Sequence, residues 1–367
     1  MNALTGQQTA IVSEIAGTTT DTVSKAAELP GVGAALLLDT AGLNDSSALG
    51  KERIRQTRKA IDRADIVLLL FSEGDTSVEE AMLAELRRRE VSVIGVVAQC
   101  DRLTDAKARA AEIAERTQLQ PICTSAVTGE GIEALLTTIA TMHGSEERQL
   151  TEGLCKTGDT VLLVMPQDAS APKGRLIMPQ VQTLRELLDK GCNSLCCTPE
   201  NMPQALAALA AAPQLIITDS QAFAEVERLC PEGARLTSFS VLQARYKGDI
   251  NHFAAAAKQL LSLPATARIL IAEACTHKPQ NEDIGRVKLP RMLRKRLGEQ
   301  IEITVVGGAD FPEDVSGYDM IIHCGACLFN RRHVMSRLAA AQEQGVPMTN
   351  YGIAIAALTG ILDRVAY

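Results

Sequence analysis

The chain has 367 residues, too many for one core, and a formal charge of −7 at neutral pH, which argues against nucleic acid as main partner because phosphate binding needs clustered Lys and Arg. Aromatic residues make up 3% and Trp is absent, so stacking on bases is not expected either. No apolar run approaches the roughly 20 residues that cross a bilayer, and MNALTGQQTA lacks the basic start and apolar centre of a signal peptide, so no membrane partner and a cytoplasmic location are expected.

In chain order, AALLLDT (34–40), DIVLLLF (65–71) and VSVIGVVA (91–98) predict buried parallel strands. LGKERIRQTRKAIDRA and SVEEAMLAELRRRE carry helical periodicity between them. This βαβ order predicts an α/β fold, a parallel sheet covered by helices on both faces. The first block, 1–148, closes after GEGIEALLTTIATMHG, and GSEERQLTEG (144–153) reads as a linker. A second block, 154–248, offers a strand in GDTVLLV, a helix near 177–190, a strand in NSLCCT, a helix in MPQALAALAAA and a strand in PQLIITD. A third, 249–367, offers strands in ARILIAEAC, IEITVVG, YDMIIHC and VPMTN with helices between them. The boundary between the second and third blocks is soft, and the two could form one larger α/β unit.

The first block has chemistry at its strand ends. LLLDTAG ends a strand with Asp39, Thr40, Ala41 and Gly42; a carboxylate there can hold Mg²⁺ through water, and the glycine N–H can swing toward a terminal phosphate. Upstream, EIAGTTTD (14–21) offers a threonine hydroxyl to complete the metal shell. Downstream, Asp101 of GVVAQCD can accept the two N–H groups of a guanine edge, and the Ser125-Ala126 backbone of ICTSAVTGEG can cap the guanine carbonyl. Each element alone could be an ordinary turn; in this order they form a pattern. The block resembles the TrmE/Era branch of small GTPases, with a P-loop-type parallel sheet. That resemblance implies GTP and Mg²⁺ as ligands and assigns Thr18, Thr19, Asp39, Thr40, Gly42, Asp101, Ser125 and Ala126 to the nucleotide site. Thr19 would be the Mg²⁺ threonine, Asp39 and Gly42 the second switch, and Asp101 the guanine reader.

Two departures set an expectation of weak or lost GTP binding. The phosphate loop G-x-x-x-x-G-K-[ST], which supplies the N–H cradle and the lysine, is missing. A fragment is the first explanation and a decayed GTPase the second, and the sheet should have an unfilled position. The base-reading N-K-x-D is replaced by Ala98-Gln99-Cys100-Asp101, which keeps only the carboxylate.

The third block raises the question of a metal. Of ten cysteines, Cys275 and His277 follow the strand ARILIAEA, and His323, Cys324 and Cys327 follow YDMII. The pattern is C-x-H, 45 residues, then H-C-x-x-C. In a cytosolic chain such thiols suit a metal better than a disulfide. Both groups fall at carboxyl ends of predicted parallel strands, the rim where open α/β sheets bind ligands. Three thiolates and a nitrogen suit either tetrahedral zinc or a [4Fe-4S] cluster with one distinct corner, and the spacing does not separate them. The plainer reading, buried thiols acting as small hydrophobes, is preferred for Cys100, Cys123, Cys155 and Cys230 and for CNSLCC, where Cys192, Cys196 and Cys197 read as a buried strand and its surroundings. His143, His252 and His333 read as surface residues. GRVKLPRMLRKRLG (285–298) reads as a solvated basic helix face, or alternatively as a cradle for an anion.

A TrmE-like block, a middle α/β block and this ligand spacing together resemble the HydF family of [FeFe]-hydrogenase maturation GTPases. The resemblance implies a small α/β dimerisation domain in the middle, hence a homodimer, and an α/β cluster-binding domain at the end. It implies a scaffold that holds a [4Fe-4S] cluster, receives a diiron precursor from the radical-SAM maturases HydE and HydG, and delivers it to apo-[FeFe]-hydrogenase. Cys275, Cys324 and Cys327 would be the cluster cysteines, with His323 or His277 as an exchangeable fourth ligand. The GTPase domain would act as a switch. The rival readings are a TrmE/Era-like GTPase of RNA modification or ribosome assembly, and an adaptor with a degenerate G domain; in both the cysteines hold structural zinc.

Overall fold

The computed structural model describes residues 1–6, 23–40, 56–89, 91–144, 148–167, 174, 176–274, 283–308, 311–327 and 329–367. These fall into two compact units, Met1–Glu147 and Arg148–Tyr367.

The first unit opens with β1 (Val23–Leu29) and β2 (Gly33–Asp39), followed by β3 (Ile66–Phe71), β4 (Ser92–Val97) and β5 (Ile122–Cys123). β3, β4 and β5 form a parallel sheet in that order. The helices Ser77–Arg88, Ala106–Thr117 and Ile132–Gly144 cover it on both faces. Leu69, Phe71, Leu83, Val97 and Ile113 pack in one apolar cluster, and Ile94, Val96, Leu135 and Ile139 in another. Alternate residues of one strand thus serve opposite faces, as the pleat requires.

AALLLDT departs from its prediction. β2 is neither parallel nor buried: it pairs antiparallel with β1, from Val23 opposite Asp39 to Leu29 opposite Gly33, and Leu36 is 53% exposed. The reason lies in Pro30-Gly31-Val32. Gly31 takes φ +74° and Val32 N–H returns to the Leu29 carbonyl at 3.1 Å, reversing the chain. An apolar run cannot reveal the direction of its partner; this short turn does. In the parallel sheet, β3 pairs with β4 alone among the described residues, and its Leu70 is 56% exposed.

The second unit holds two parallel sheets. β6 (Thr160–Val164), β7 (Asn193–Cys197), β8 (Leu215–Thr218) and β9 (Arg235–Ser238) lie in the order β7-β6-β8-β9. β10 (Arg268–Ala272), β11 (Glu302–Val306), β12 (Met320–His323) and β13 (Met348–Asn350) lie in the order β11-β10-β12-β13. One apolar cluster joins them, running from Leu162 and Ile216 through Ala256 and Ala257 to Ile271 and Ile322. The helix Tyr351–Leu358 is buried from Tyr351 to Ala357, which explains why YGIAIAA has no polar face.

Two smaller expectations change here. Among the described residues NSLCC is an edge strand rather than a buried one, and Cys196 on it is exposed. His333 is buried and stacks on Phe329, ring centroids 4.5 Å apart, because it faces inward on the helix Arg331–Glu343.

Candidate functional site: a thiol pair at a sheet switch point

The strand order makes the site. From β10 the chain crosses to β11 on one side, then returns past β10 to β12 on the other. The reversal leaves a crevice outside the carboxyl ends of β10 and β12. Ala272 lies opposite His323, and His323 opposite Asn350, so residues 273 and 324 emerge together. Cys324 N–H donates to the Ala272 carbonyl (3.0 Å). Ala274 N–H in turn donates to Cys324 Sγ (3.0 Å), as does Ala326 N–H (3.4 Å). Backbone N–H groups aimed at sulfur favour the thiolate, the form that binds metals.

Cys324 and Cys327 therefore share one loop at this rim. Cys275 and His277 lie outside the described residues, but Cys275 directly follows Ala274, whose N–H contacts Cys324 sulfur. Among the described residues no set of three His, Cys, Asp or Glu is arranged to hold a metal. Two thiols on one loop, with backbone N–H groups aimed at the Cys324 sulfur, are donors of the kind that bind soft metals.

The loop is held from below. Ala326 is buried and adopts φ +48°, a left-handed conformation that side chains rarely take. Lys247 Nζ donates to the carbonyls of Ala326 (2.7 Å) and Cys327 (3.3 Å). Burial pulls the Lys247 ammonium below its ordinary range, while Cys327 and Cys324 pull it back up. Burial raises the Cys327 thiol, as does the charge of Cys324; Lys247 opposes both.

His323 is buried and uses both ring nitrogens. Arg337 Nη1 lies 3.1 Å from Nε2, and because a guanidinium can only donate, Nε2 must accept. The proton therefore sits on Nδ1 and donates to the Cys324 carbonyl at 2.7 Å. Burial, with the Arg337 charge, pushes this imidazole down to about 3, against the Cys324 hydrogen bond, so it is neutral at pH 7. The one lone pair, on Nε2, accepts from Arg337, so neither ring nitrogen is open to a metal in this arrangement. Arg337 also donates to the Gly308 carbonyl (2.5 Å) and lies over the Phe311 ring at 5.0 Å.

Glu273 is buried beside the same rim. Its Oε2 accepts from Arg286 Nε (3.2 Å) and Nη2 (3.0 Å). Arg286 therefore balances a buried carboxylate, whatever else the basic stretch does; Arg291, Arg294, Lys295 and Arg296 face solvent as a helix surface. Gly285 permits this packing, since a Cβ there would lie 2.1 Å from the Tyr351 hydroxyl and 2.7 Å from Glu273 Oε1.

Sequence reasoning missed Lys247, Glu273 and Arg337. Glu273 had a signal, a carboxylate inside the apolar run ILIAEAC; Lys247 and Arg337 had none, because their partners are distant in sequence. Of the other cysteines, Cys192 and Cys155 are buried with sulfurs 3.8 Å apart.

In the first unit, Thr18, Thr19 and Gly42 lie outside the described residues. Asp39 ends β2, and Thr40 follows it. Asp101 sits exposed in the turn Cys100–Arg102, and Ser125 is buried beside it: Cys100 N–H donates to the Thr124 carbonyl at 3.1 Å. Ser125 Oγ accepts from Val127 N–H (3.2 Å) and Thr128 N–H (3.1 Å), leaving Ala126 exposed at the tip. Gly131 must be glycine, because a Cβ would lie 1.9 Å from the Cys123 carbonyl oxygen. A cavity of about 400 Å³ lined by Glu73, Ala98, Gln99, Arg102 and Leu103 opens at this rim.

Comparison with known proteins divides the chain in the same order. Residues 1–99 match a family described as 50S ribosome-binding GTPase. Residues 150–248 match the hydrogen maturase F dimerization domain, and residues 251–366 the hydrogen maturase F tetramerization domain. A tetramerization domain was not expected from the sequence, where the final block read only as a cluster carrier. The tRNA modification GTPase MnmE of Xanthomonas oryzae pv. oryzae is 35% identical over 136 residues, 37% of this chain and 28% of that protein. The MnmE of Nitrosomonas europaea is 35% identical over 156 residues, 42% of this chain and 33% of that protein. The chain thus spans about a third or less of the length of these relatives. Among solved structures, Era in complex with MgGDPNP and a 16S ribosomal RNA segment is 17% identical at a TM-score of 0.37, covering 57% of this chain and 92% of that chain. With a GTPase-type block followed by two domains specific to hydrogen maturase F, the chain belongs to the hydrogen maturase F family.

Proposed function

We propose that this chain is a cytoplasmic, oligomeric scaffold of hydrogenase maturation that holds a [4Fe-4S] cluster on Cys275, Cys324 and Cys327 and passes a diiron unit to apo-[FeFe]-hydrogenase. The observation that carries this reading is the Ala274 N–H bond to Cys324 sulfur, which brings the chain just before Cys275 to the H-C-x-x-C loop. When bound, a cluster with three thiolate ligands supplies an iron that can exchange its fourth partner. The residues of the chain do the rest. The N–H groups of Ala274 and Ala326 steady the Cys324 thiolate, and Arg337 fixes the tautomer of His323. On this reading His323 orients the loop, and His277 or an exogenous group takes the fourth position. The diiron unit is cargo, supplied by the HydE and HydG maturases.

The GTPase block serves as a switch rather than a source of cluster chemistry. Thr18, Thr19, Asp39, Thr40 and Gly42 face Mg²⁺ and phosphate in this reading, and Asp101, Ser125 and Ala126 face guanine. With Ala98 and Gln99 in place of Asn and Lys, nucleotide binding is weak; titration with a fluorescent GTP analogue checks this, and micromolar or tighter binding contradicts it.

The test of the carrier role is transfer. The protein is reconstituted anaerobically with iron and sulfide, incubated with HydE, HydG and their substrates, re-isolated, and mixed with apo-hydrogenase. Hydrogen evolution that requires the re-isolated protein supports the reading. A colourless protein that takes up only zinc favours the structural-zinc alternative.

A further inference from the structure

Lys247 belongs by chain position to the β6–β9 lobe. It is the last residue of the helix Phe239–Lys247, which follows β9 and is capped by the Ser238 hydroxyl. Its ammonium nevertheless serves the other sheet: it is buried, and it donates to Ala326 and Cys327 carbonyls in the loop that bears the thiols. A buried ammonium is costly without compensation. Two carbonyls compensate part of that cost. The receiving carbonyl belongs to Ala326, whose left-handed backbone is held only where surrounding contacts over-determine it. Charge, strain and hydrogen bonding thus converge on one contact between the segment matching the dimerization domain and the loop after β12.

We propose that Lys247 is a positioning residue of the thiolate centre: it clamps the Cys324–Cys327 loop from the dimerization lobe and places a positive charge beside its sulfurs. The proposal rests on the cluster reading above. It makes the centre sensitive to any displacement of the helix Phe239–Lys247. A cation near the cluster favours its more negative, reduced state, so loss of the charge makes the midpoint potential more negative.

The experiment uses the full chain as wild type, Lys247→Met and Lys247→Gln. Amide hydrogen exchange of residues 324–327 is measured in metal-free protein; midpoint potential and iron loss to a chelator are measured after anaerobic reconstitution. In Lys247→Met the loop amides should exchange on the order of tenfold faster, iron should leave faster, and the potential should fall. Lys247→Gln keeps a donor without the charge, so its loop protection should be largely retained while its potential falls as in Lys247→Met. Wild-type exchange and wild-type potential in both variants, beside a brown wild type, overturn the role of Lys247 alone. A wild type that binds no iron overturns the cluster reading, and this role with it.

Discussion

β2 and β10 look alike as sequence and differ as structure. GAALLLD and RILIA are both short apolar runs flanked by charge and turn residues. β10 lies inside a four-stranded parallel sheet, and Ile269, Leu270, Ile271 and Ala272 are all fully buried. Among the described residues β2 belongs to a two-stranded hairpin, and it leaves Leu36 more than half exposed. An apolar run therefore specifies extended backbone, while the number of neighbours specifies burial. The chemistry follows the same division. The thiol rim rests on strands closed on both sides, whereas Asp39, proposed above for the nucleotide site, ends a hairpin.

Substitutions can break or sharpen this contrast. The largest effect is expected at Ile322→Ala in β12, about 2–5 kcal/mol of unfolding free energy, since a fully buried side chain leaves a cavity. Arg337→Met should cost about 1–3 kcal/mol by chemical denaturation, because His323 Nε2 and the Gly308 carbonyl lose their donor inside the protein. Glu273→Gln should cost somewhat less, about 1–2 kcal/mol, because Arg286 reaches solvent and keeps a neutral acceptor. Smallest of all, Leu36→Ser and Leu70→Ser should change stability by no more than about 0.5 kcal/mol despite their apolar settings in sequence. A loss above about 2 kcal/mol at either leucine would contradict the reading that these faces are uncovered.

The parallel strands β3, β4, β6, β8 and β10–β13 were legible as short extended runs between helical patterns, most of them apolar, although β11 and part of β3 are not buried. Asp101 and Ser125 were each expected at a strand end, and the turn and loop that carry them are joined through Cys100 and Thr124. The direction of β2 was written in Pro30-Gly31-Val32 but masked by the stronger apolar signal of LLL. His333 was read as exposed because one polar residue on a helix says nothing about the element packed over it. Lys247 and Arg337 show the general difficulty. A buried cation looks like any other Lys or Arg until its acceptors, some 80 residues away for Lys247 and 14 to 64 for Arg337, are known.

The central claim is that distant thiols meet at the β10–β12 rim around one inorganic centre. Iron and acid-labile sulfide, counted after anaerobic reconstitution of the wild type and single Cys→Ser variants, test it most directly. The account predicts about four irons per wild-type chain, severe loss on replacing Cys275, Cys324 or Cys327, and wild-type content on replacing Cys196 or Cys197. Full iron content in the Cys324→Ser and Cys327→Ser variants would contradict it.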